Sequence, residues 1–304
     1  MMMRTLLLIF TITLTVFASA CDKGSPGGEK PEPPSPQPSS SSDFINAASL
    51  NIRYSNNTDG INNWDHRKQW VVDFIYFFDI DLIGLQEEKN DQTAELRTLL
   101  SADYGMIGKA SSSQPGYEYN GIYYKTENIE LLESGRFWLS ETPDVESVGW
   151  DAKYHRQVTW GKFRHKASNN EFYFFNTHFS HVGETARENS AILLKNKIKS
   201  IAKGAAVIAT GDFNLRPNSS SYNILTQDSD SAKKLSEGRI LVDRPYNALC
   251  TGHCFGTCYK VGKIVDYVFV NDKIDVEKYG ILTEQREGVF LSDHYPILTR
   301  LRFK

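Results

Sequence analysis

The apolar residues of this chain recur in short runs that are rich in β-branched and aromatic side chains. Runs of up to about eight residues that end at glycine or a polar residue are typical of buried or half-buried β-strands. We predict strands at the following runs: 47–54, 81–87, 120–125, 158–165, 171–178, 205–212, 264–270 and 296–303.

Two longer stretches have the spacing of amphipathic helices. Residues 64–79 mix charged and apolar side chains. Within residues 184–203, one stripe carries the apolar side chains Ala191, Leu194, Ile198 and Ile201. A few helices among roughly ten strands, some of them adjacent in the chain, predict two mixed or mainly antiparallel sheets with helices outside.

The first twenty residues carry one positive charge, a long apolar run and small residues just before Cys21. Small residues at this place indicate cleavage, so we interpret residues 1–20 as a secretion signal and not as a membrane span. The sequence "ASAC" fits a bacterial lipoprotein cleavage site, with Ala18 where leucine is commoner. Cys21 would then be the lipidated first residue; an ordinary export signal followed by an unpaired cysteine is the alternative.

Residues 21–43 are expected to tether the domain to the membrane. Pro, Ser and Gly supply 15 of the 22 residues after Cys21 in this segment. Such a composition cannot bury enough apolar surface to offset the entropy of ordering. Residues 44–304 contain no second break of this kind and no repeat, which favours one domain. We expect a monomer anchored at the cell envelope, in the periplasm or on the outer-membrane surface.

The charge balance argues against a polymeric nucleic-acid substrate. The whole chain has a formal net charge of −3 at pH 7. Removal of the signal takes away only Arg4, which leaves 33 basic and 37 acidic residues and a charge of −4. Proteins that hold long nucleic acids carry a basic footprint. Nucleic acid therefore stays a partner that the composition does not favour.

Three cysteines lie close together, four residues apart, at positions 250, 254 and 258. An exported chain meets an oxidising compartment, so one disulfide and one free thiol are expected. A zinc site is the alternative, although it would need a fourth ligand and tighter pairing.

Polar and ionisable residues recur where the apolar runs stop. A carboxylate within or directly after such a run is costly to desolvate unless it is paired or holds a cation. The residues in question are Asn51, Glu87, His178, Asp212, Asn214, Asp266, Asp293 and His294. Their recurrence on separate elements indicates a shared site.

Asp212 and Asn214 illustrate the two interpretations of these residues. They are two positions apart, so in a strand both side chains project to one side. An anion and an amide in one pocket suit the orientation of a water molecule beside a phosphate oxygen. Alternatively, they cap the helix that begins nearby in "RPNSSSYNIL".

The ordered segments "LNIRY", "LIGLQEE", "NTHFSHVGETARENSA", "TGDFNLRPNS", "IVDYVFV" and "SDHYP" resemble the endonuclease/exonuclease/phosphatase superfamily. The resemblance spans essentially the whole domain. The segments "SGRFWLSETPD" and "GWDAKYHRQVTW" further resemble its secreted, often lipidated members in Bacteroidetes. The superfamily implies an α/β fold like that of deoxyribonuclease I, a four-layered α-β-β-α sandwich of two mixed, mainly antiparallel sheets. It also implies a divalent-metal phosphoesterase site.

Site roles follow from the resemblance, position by position. Glu87 would hold Mg²⁺, or sometimes Mn²⁺, with Asn51 beside it, and Asp293 would be a ligand or lie close to one. A hard cation that prefers oxygen ligands fits this set. Asp212 matches the residue that orients or deprotonates the attacking water, and Asn214 the residue that positions the water or the phosphate.

The resemblance also implies roles for the histidines and for nearby charged residues. His294 would contact the phosphoryl oxygens, with Asp266 as its carboxylate partner. His178 matches a second histidine, which pairs with a glutamate in deoxyribonuclease-like members, and Glu118 is its candidate partner. Two interpretations stand for Arg156 and for Arg53: the side chain binds substrate phosphate, or it forms a structural ion pair. His181 lines the mouth of the cleft or begins the next helix.

The expected activity is metal-dependent hydrolysis of a phosphate ester, monoester or diester, by in-line attack of water. A soluble sugar or nucleotide phosphate is the favoured substrate. A nuclease requires a basic groove. A sphingomyelinase-like enzyme requires exposed apolar loops, for which Val289, Phe290 and Leu291 are candidates. A non-catalytic binding lipoprotein on the same scaffold is the alternative from another class. The cysteine-containing segment departs from the family pattern and indicates a reshaped rim.

Overall fold

A computed structural model describes residues 43–230, 234–247 and 249–304 of the protein. The predicted signal sequence, the lipidation site Cys21 and the tether up to residue 42 lie outside this part of the chain. Within the described ranges, no helix has both the length and the apolar composition needed to cross a membrane.

Four α-helices and fourteen strands are present in the described ranges. The helices are α1 (Trp64–Phe77), α2 (Asn90–Leu99), α3 (Glu184–Ala202) and α4 (Ser220–Thr226). The strands are β1 (Phe44–Asn51), β2 (Leu82–Gln86), β3 (Tyr104–Ile107), β4 (Ile122–Lys125), β5 (Ile129–Trp138), β6 (Gln157–His165), β7 (Asn170–His178), β8 (Ala206–Asp212), β9 (Ser236–Glu237), β10 (Asp266–Val270), β11 (Ile274–Ile281), β12 (Gln285–Arg286), β13 (Val289–Phe290) and β14 (Ile297–Phe303). Short 3-10 helices span Asn57–Asn62 and Gly238–Leu241.

Two six-stranded sheets contain most of these strands. Their orders are β11-β14-β1-β2-β4-β3 and β5-β6-β7-β8-β10-β9, and β12 and β13 form a separate hairpin. Each large sheet has one parallel pair, β1 with β2 and β7 with β8, while its other neighbours are antiparallel. The central strands of one sheet pack on those of the other. The polar residues that end β1 and β8 are in contact. The Asn51 side-chain amide donates a hydrogen bond to the Asp212 carboxylate.

Three apolar clusters hold the layers together. One lies between the sheets and includes Leu82 and Phe174. A second packs α1 and α2 on the first sheet through residues such as Val71, and a third packs α3 and α4 on the second sheet through residues such as Leu194. Burial of apolar surface on both faces of each sheet is the main source of stability in such a fold. The predicted α-β-β-α sandwich of mixed, mainly antiparallel sheets is confirmed.

The predicted strands and helices are all present, with ends that differ by a few residues. The elements that were not predicted from the sequence are helix α2 and strands β3, β5, β9, β11, β12 and β13. Strands β5 and β11 are the outer strands of their sheets and carry exposed charged side chains, so they lack a continuous apolar run. Charged residues are common on edge strands because they discourage pairing with other chains.

A buried polar network joins the two sheets next to their polar ends. The Asn176 amide, fully buried on β7, donates to the backbone carbonyls of Leu85 and Gly121 at 2.7 and 2.8 Å. Its side-chain oxygen accepts from Gln86 Nε2 at 2.7 Å and from Thr210 Oγ1 at 3.3 Å. One side-chain amide therefore satisfies hydrogen-bonding groups of both sheets.

Replacement of Asn176 by alanine is expected to lower the free energy of unfolding by about 1–3 kcal/mol, because buried polar groups lose their partners. Chemical denaturation with linear extrapolation measures this change. Asn170→Ala at the exposed start of the same strand is the control and should change stability by less than about 0.5 kcal/mol. Equal free energies of unfolding for the two variants would contradict this role of Asn176.

Candidate active site

The hydrogen-bond register of the second sheet places three ionisable side chains side by side. His178 ends β7 and lies opposite Asp212, which ends β8. Asp212 in turn lies opposite Asp266, the first residue of β10. All three residues are buried. Neighbouring residues of one sheet edge thus bring an imidazole and two carboxylates together, although long stretches of chain separate them.

His294 forms a pair with Asp266. Its Nδ1 lies 2.8 Å from Asp266 Oδ2, and its Nε2 lies 3.9 Å from Asp212 Oδ2. Burial by itself lowers the pKa of His294, but the charge of Asp266 and the hydrogen bond to it outweigh burial, and the pKa is raised well above 6.5. The imidazole therefore keeps both protons, donates to Asp266 and presents an N–H at Nε2.

Asp212 is the carboxylate at the centre of the site. Its Oδ1 accepts from the backbone N of Asn214 at 2.9 Å, and its Oδ2 accepts from Asn51 Nδ2 at 3.2 Å. The same Oδ2 lies 3.6 Å from His178 Nε2. Burial, followed by the charge of Asp266, raises the pKa of Asp212 to about 7. Such a carboxylate is poised to exchange a proton near neutral pH.

Asn214 reaches the same cavity for a different reason than the strand alternation predicted. β8 ends at Asp212, and Asn214 has a left-handed backbone with φ 51°. The alternation argument is therefore wrong, yet both side chains line one cavity. The helix-cap alternative is also wrong, because α4 begins at Ser220 and is capped by the side chain of Ser219.

Glu87 and Asn51 lie at the ends of the parallel pair in the first sheet. Asn51 Nδ2 donates to Glu87 Oε1 at 3.0 Å, so a single amide joins the carboxylates of Glu87 and Asp212. Glu87 has a left-handed backbone with φ 67°. Burial, opposed by the charge of His294 and reinforced by that of Glu87, raises the pKa of Asp293. Asp293 itself is not among the described residues that line the cavity.

These residues fit a hard divalent cation. Glu87 lines the cavity and accepts hydrogen bonds only from neutral donors, the Asn51 amide and the Tyr54 backbone, among the described residues. A carboxylate that faces a cavity without an ion pair supplies oxygen ligands of the kind that Mg²⁺ prefers.

A second group of candidate ligands lies next to this set. In the described ranges, only Asp212, Asp266 and His294 form a group of three ligand atoms within 4.8 Å of one another. His294 Nδ1 and Asp266 Oδ2 are already paired with each other at 2.8 Å, so a cation at this group would compete with that pair. The Glu87 side of the cavity is therefore the better place for a cation.

The predicted pair of His178 and Glu118 is present with an arginine inserted between its members. Arg156 Nη1 lies 2.9 Å from His178 Nδ1 and 3.2 Å from Glu118 Oε2, whereas His178 Nδ1 and Glu118 Oε2 are 3.7 Å apart. Burial, followed by the charge of Arg156, lowers the pKa of His178 well below 6.5. His178 is therefore neutral, accepts from Arg156 at Nδ1 and carries its proton on Nε2, toward Asp212.

The remaining predicted residues also border the cavity. Arg53 forms a two-point ion pair with Asp59, at 3.0 and 3.2 Å, which is the structural alternative named above. His181 lies before α3 and contacts Arg156 Nη2 through Nδ1 at 3.3 Å. Of the predicted site residues, those that line the cavity are Arg53, Glu87, Glu118, Arg156, His178, His181, Asp212, Asn214 and His294.

The cavity has a volume of about 610 Å³ and opens to solvent. Asn51 and Asp266 contact its lining residues without lining it themselves. Its outer wall consists of residues that the sequence did not single out: Tyr54, Lys89, Ser111, Pro115, Gly116, Tyr117, Tyr154 and His155. Most of them lie in polar loops, where a tyrosine or lysine has no periodic signal that separates it from an ordinary surface residue.

Arg67 on α1 was also missed. This side chain is fully buried and donates to the backbone carbonyls of Ile52, Arg53, Asn62 and Leu291. It ties the loop after β1 to the segment before His294. A charged residue in an amphipathic helix is normally placed on the exposed face, so the helix pattern concealed this role.

The apolar candidates for lipid contact are largely covered. Leu291 is buried, Val289 and Phe290 are half-buried, and the Phe290 ring packs on His253 at 4.9 Å between centroids. These side chains therefore form part of the packing around the site and not an exposed apolar loop.

The segment 250–258 contacts the backbone next to His294 and Asp266. The backbone N of His253 and of Cys254 donate to Asp293 O at 2.9 Å, and Gly252 pairs with His294. Thr251 Oγ1 accepts from the backbone N of Asp266 at 3.1 Å. Cys254 and Cys258 form a disulfide and Cys250 is free and buried, as the first expectation for the cysteines had it.

Reduction of the Cys254–Cys258 disulfide is expected to lower kcat by about 10-fold or more, because small displacements of catalytic groups have large effects on rate. Cys254, at one end of the loop that it closes, donates from its backbone N to Asp293 O, next to His294 in the chain. Turnover measured with and without dithiothreitol checks this. The Cys254→Ser/Cys258→Ser variant should be slow and insensitive to the reductant, and Cys250→Ala should keep the wild-type response. An unchanged kcat after complete reduction would refute it.

This chain resembles known proteins of one family in sequence and in fold. The Endonuclease/Exonuclease/phosphatase family profile matches residues 48–294. A solved endonuclease/exonuclease/phosphatase from Bacteroides vulgatus is 36% identical, with 86% of this chain and 99% of that chain covered and a TM-score of 0.81. The mannosyl-6-phosphatase of Bacteroides thetaiotaomicron VPI-5482 is 32% identical, with 85% and 100% covered and a TM-score of 0.77.

A curated relative, an uncharacterised protein of Acanthamoeba polyphaga mimivirus, is 27% identical over 160 residues. The match spans 50% of this chain and 59% of the viral protein.

Proposed function

Because the chain belongs to the endonuclease/exonuclease/phosphatase family, we propose that it is a divalent-metal-dependent phosphoesterase that acts on a soluble, small-molecule phosphate ester. The observation that carries the proposal is the meeting of Asp212, the His294–Asp266 pair and the Glu87–Asn51 pair at one 610 Å³ cavity. Perturbed ionisable groups in a cleft are typical of catalytic sites.

The roles of the side chains follow from their atoms. Asp212 accepts a proton from the water that attacks phosphorus, and Asn214 helps to orient that water. The P–O bond to the leaving group breaks on the opposite side of the phosphorus, and the leaving oxygen takes up a proton from solvent. His294 donates from Nε2 to a phosphoryl oxygen, while Asp266 holds its ring through Nδ1. Neutral His178 presents its Nε2 proton on the other side of Asp212. Preorganised donors of this kind lower the barrier because they need no rearrangement as charge develops.

Glu87 and Asn51, with Asp293, would hold a Mg²⁺ or Mn²⁺ ion. When bound, the cation supplies positive charge that neutralises the phosphoryl oxygens. Arg156 also lines the cavity and supplies a further positive charge, and Glu118, His178 and His181 fix its position.

The similar mannosyl-6-phosphatase supports a phosphate monoester of a small molecule as the substrate. The net charge of −3 supports the same choice over a nucleic acid. Leu291 is buried and Val289 and Phe290 are half-buried, so these three side chains do not support a lipid phosphodiesterase. A binding lipoprotein without activity would have no use for a buried general base beside a paired histidine.

Turnover of p-nitrophenyl phosphate and bis(p-nitrophenyl) phosphate, with and without EDTA and after addition of Mg²⁺ or Mn²⁺, tests the proposal. We expect hydrolysis that EDTA abolishes and either cation restores, with the monoester preferred. Absence of EDTA-sensitive hydrolysis of both compounds would reject the enzyme and favour the binding lipoprotein.

We further propose that the protein is exported and anchored at the cell envelope through Cys21. Support comes from the apolar leader and from "ASAC" before a Pro-, Ser- and Gly-rich segment. Metabolic labelling with an alkynyl fatty acid should mark the wild-type protein and not the Cys21→Ala variant. Equal labelling of both would reject the anchor.

A further inference from the structure

The residues that line the cavity include a carboxylate with an unused oxygen. Glu118 Oε2 accepts from Arg156 Nη1 at 3.2 Å, and within the described ranges Oε1 has no hydrogen-bond partner. The side chain is 27% exposed and lines the cavity, so Oε1 is accessible to a ligand. A carboxylate oxygen accepts hydrogen bonds from hydroxyl groups and repels a second anion.

A lysine without an acidic partner lies near this carboxylate. The Lys89 ammonium lies 4.5 Å from the centroid of the Tyr54 ring and forms no ion pair in the part of the chain that the structure describes. Lys89 also acts on Glu118 through its charge, and both residues line the cavity. The ammonium supplies three donors that complement the acceptor of Glu118.

Aromatic side chains also line the cavity. Tyr154 is 41% exposed and stacks on His181 with 5.8 Å between centroids, and Tyr117 lies edge-on to His155 at 5.0 Å. A cavity with aromatic walls and a few fixed polar groups is typical of sites that orient a small ligand. Acceptor, donor and ring faces together match a ring that carries several hydroxyl groups.

We propose that Glu118, Lys89, Tyr117 and Tyr154 form a leaving-group subsite that selects phosphate esters of neutral, polyhydroxylated rings, as in a sugar phosphate. The inference rests on the proposed phosphoesterase activity and adds the residues that read the leaving group. Glu118 disfavours a second phosphate placed against Oε1, because the carboxylate oxygen and a phosphate oxygen are both acceptors with no proton between them.

The test compares kcat/KM for a hexose 6-phosphate, a hexose 1,6-bisphosphate, a nucleoside 5′-monophosphate and p-nitrophenyl phosphate. The enzymes are the wild type, Glu118→Gln, Lys89→Met and the control Lys278→Met, which changes an exposed lysine on β11. The wild type should prefer the hexose 6-phosphate to the bisphosphate and to the nucleotide.

Loss of a hydrogen bond to a substrate hydroxyl should lower the ratio of hexose 6-phosphate to p-nitrophenyl phosphate by about 10-fold or more in Lys89→Met and Glu118→Gln. Most of this change should appear in KM. Glu118→Gln should also raise the relative rate with the bisphosphate, and Lys278→Met should keep the wild-type ratios.

Glu118→Gln could lose all activity because Arg156 is displaced, and Lys89→Met then tests the subsite by itself. In the described ranges Lys89 contacts neither Arg156 nor the histidines. Unchanged ratios in a folded Lys89→Met enzyme, or a wild-type preference for the nucleotide, would overturn the subsite. Absence of EDTA-sensitive hydrolysis of all four compounds would instead reject the proposed function itself.

Discussion

Replacement of Asp212 by asparagine is expected to lower kcat for a phosphate ester by about 10²–10⁴-fold, the usual contribution of one general base. Asparagine has nearly the same shape, so the bond from the Asn214 backbone can persist. An amide, however, cannot take a proton from the attacking water. The loss should appear in kcat with little change in KM, because the interaction is made in the transition state.

The pH profile provides a second measure of the same residue. The pKa of Asp212 is raised to about 7, first by burial and then by the charge of Asp266. The wild-type kcat/KM should therefore fall as the pH is lowered through this region, because a protonated carboxyl group cannot act as the base. The residual activity of Asp212→Asn should lack this acid limb.

Asp272→Asn is the matched control for Asp212→Asn, since Asp272 is an exposed acid on a turn. It should keep the wild-type kcat and pH profile. Wild-type turnover in a folded Asp212→Asn variant would show that another group activates the water.

Replacement of His294 by glutamine is expected to lower kcat by about 10²–10³-fold, the usual cost of removing one preorganised donor to a developing oxyanion. Asp266→Asn should also lower kcat, because Asp266 holds the ring through Nδ1 at 2.8 Å and Asp266 Oδ1 is buried without a partner of its own in the described ranges. The double variant should be little slower than His294→Gln, since the two residues act as one unit.

A double-mutant cycle of kcat for the wild type, both single variants and the double variant measures this coupling. His66→Gln is the control, because His66 is an exposed histidine on α1. Additive losses in the cycle would show that Asp266 and His294 contribute separately and that their pairing has no role in turnover.

The apolar runs were sufficient to predict the central strands, because those strands are buried on both faces by the other sheet and the helices. The edge strands β5 and β11 escaped the same analysis. One side of each faces solvent, so charged residues such as Glu130 and Lys278 replace the apolar ones. A local pattern of apolar residues reflects burial, so it does not reveal a strand that is largely exposed.

The candidate site was predictable to a similar degree. Polar residues that interrupt or end buried runs, such as Asp212 and Asp266, are conspicuous because burial makes them costly. The wall residues Lys89 and Tyr154 lie in loops where the same types are common at any surface. Nothing in their sequence positions separates them from solvent-exposed neighbours.

The sequence by itself determined the order of buried segments, the acids, amides and histidines at their ends, and thereby the family and the layered sheets. Only the tertiary structure decided which groups pair. Arg156 lies between Glu118 and His178, Arg53 binds Asp59, and Asn51 bridges two carboxylates. Asn51 and Asp212 are 161 residues apart in the chain. Strand register and loop path set such distances, and both depend on packing between segments that no local pattern encodes.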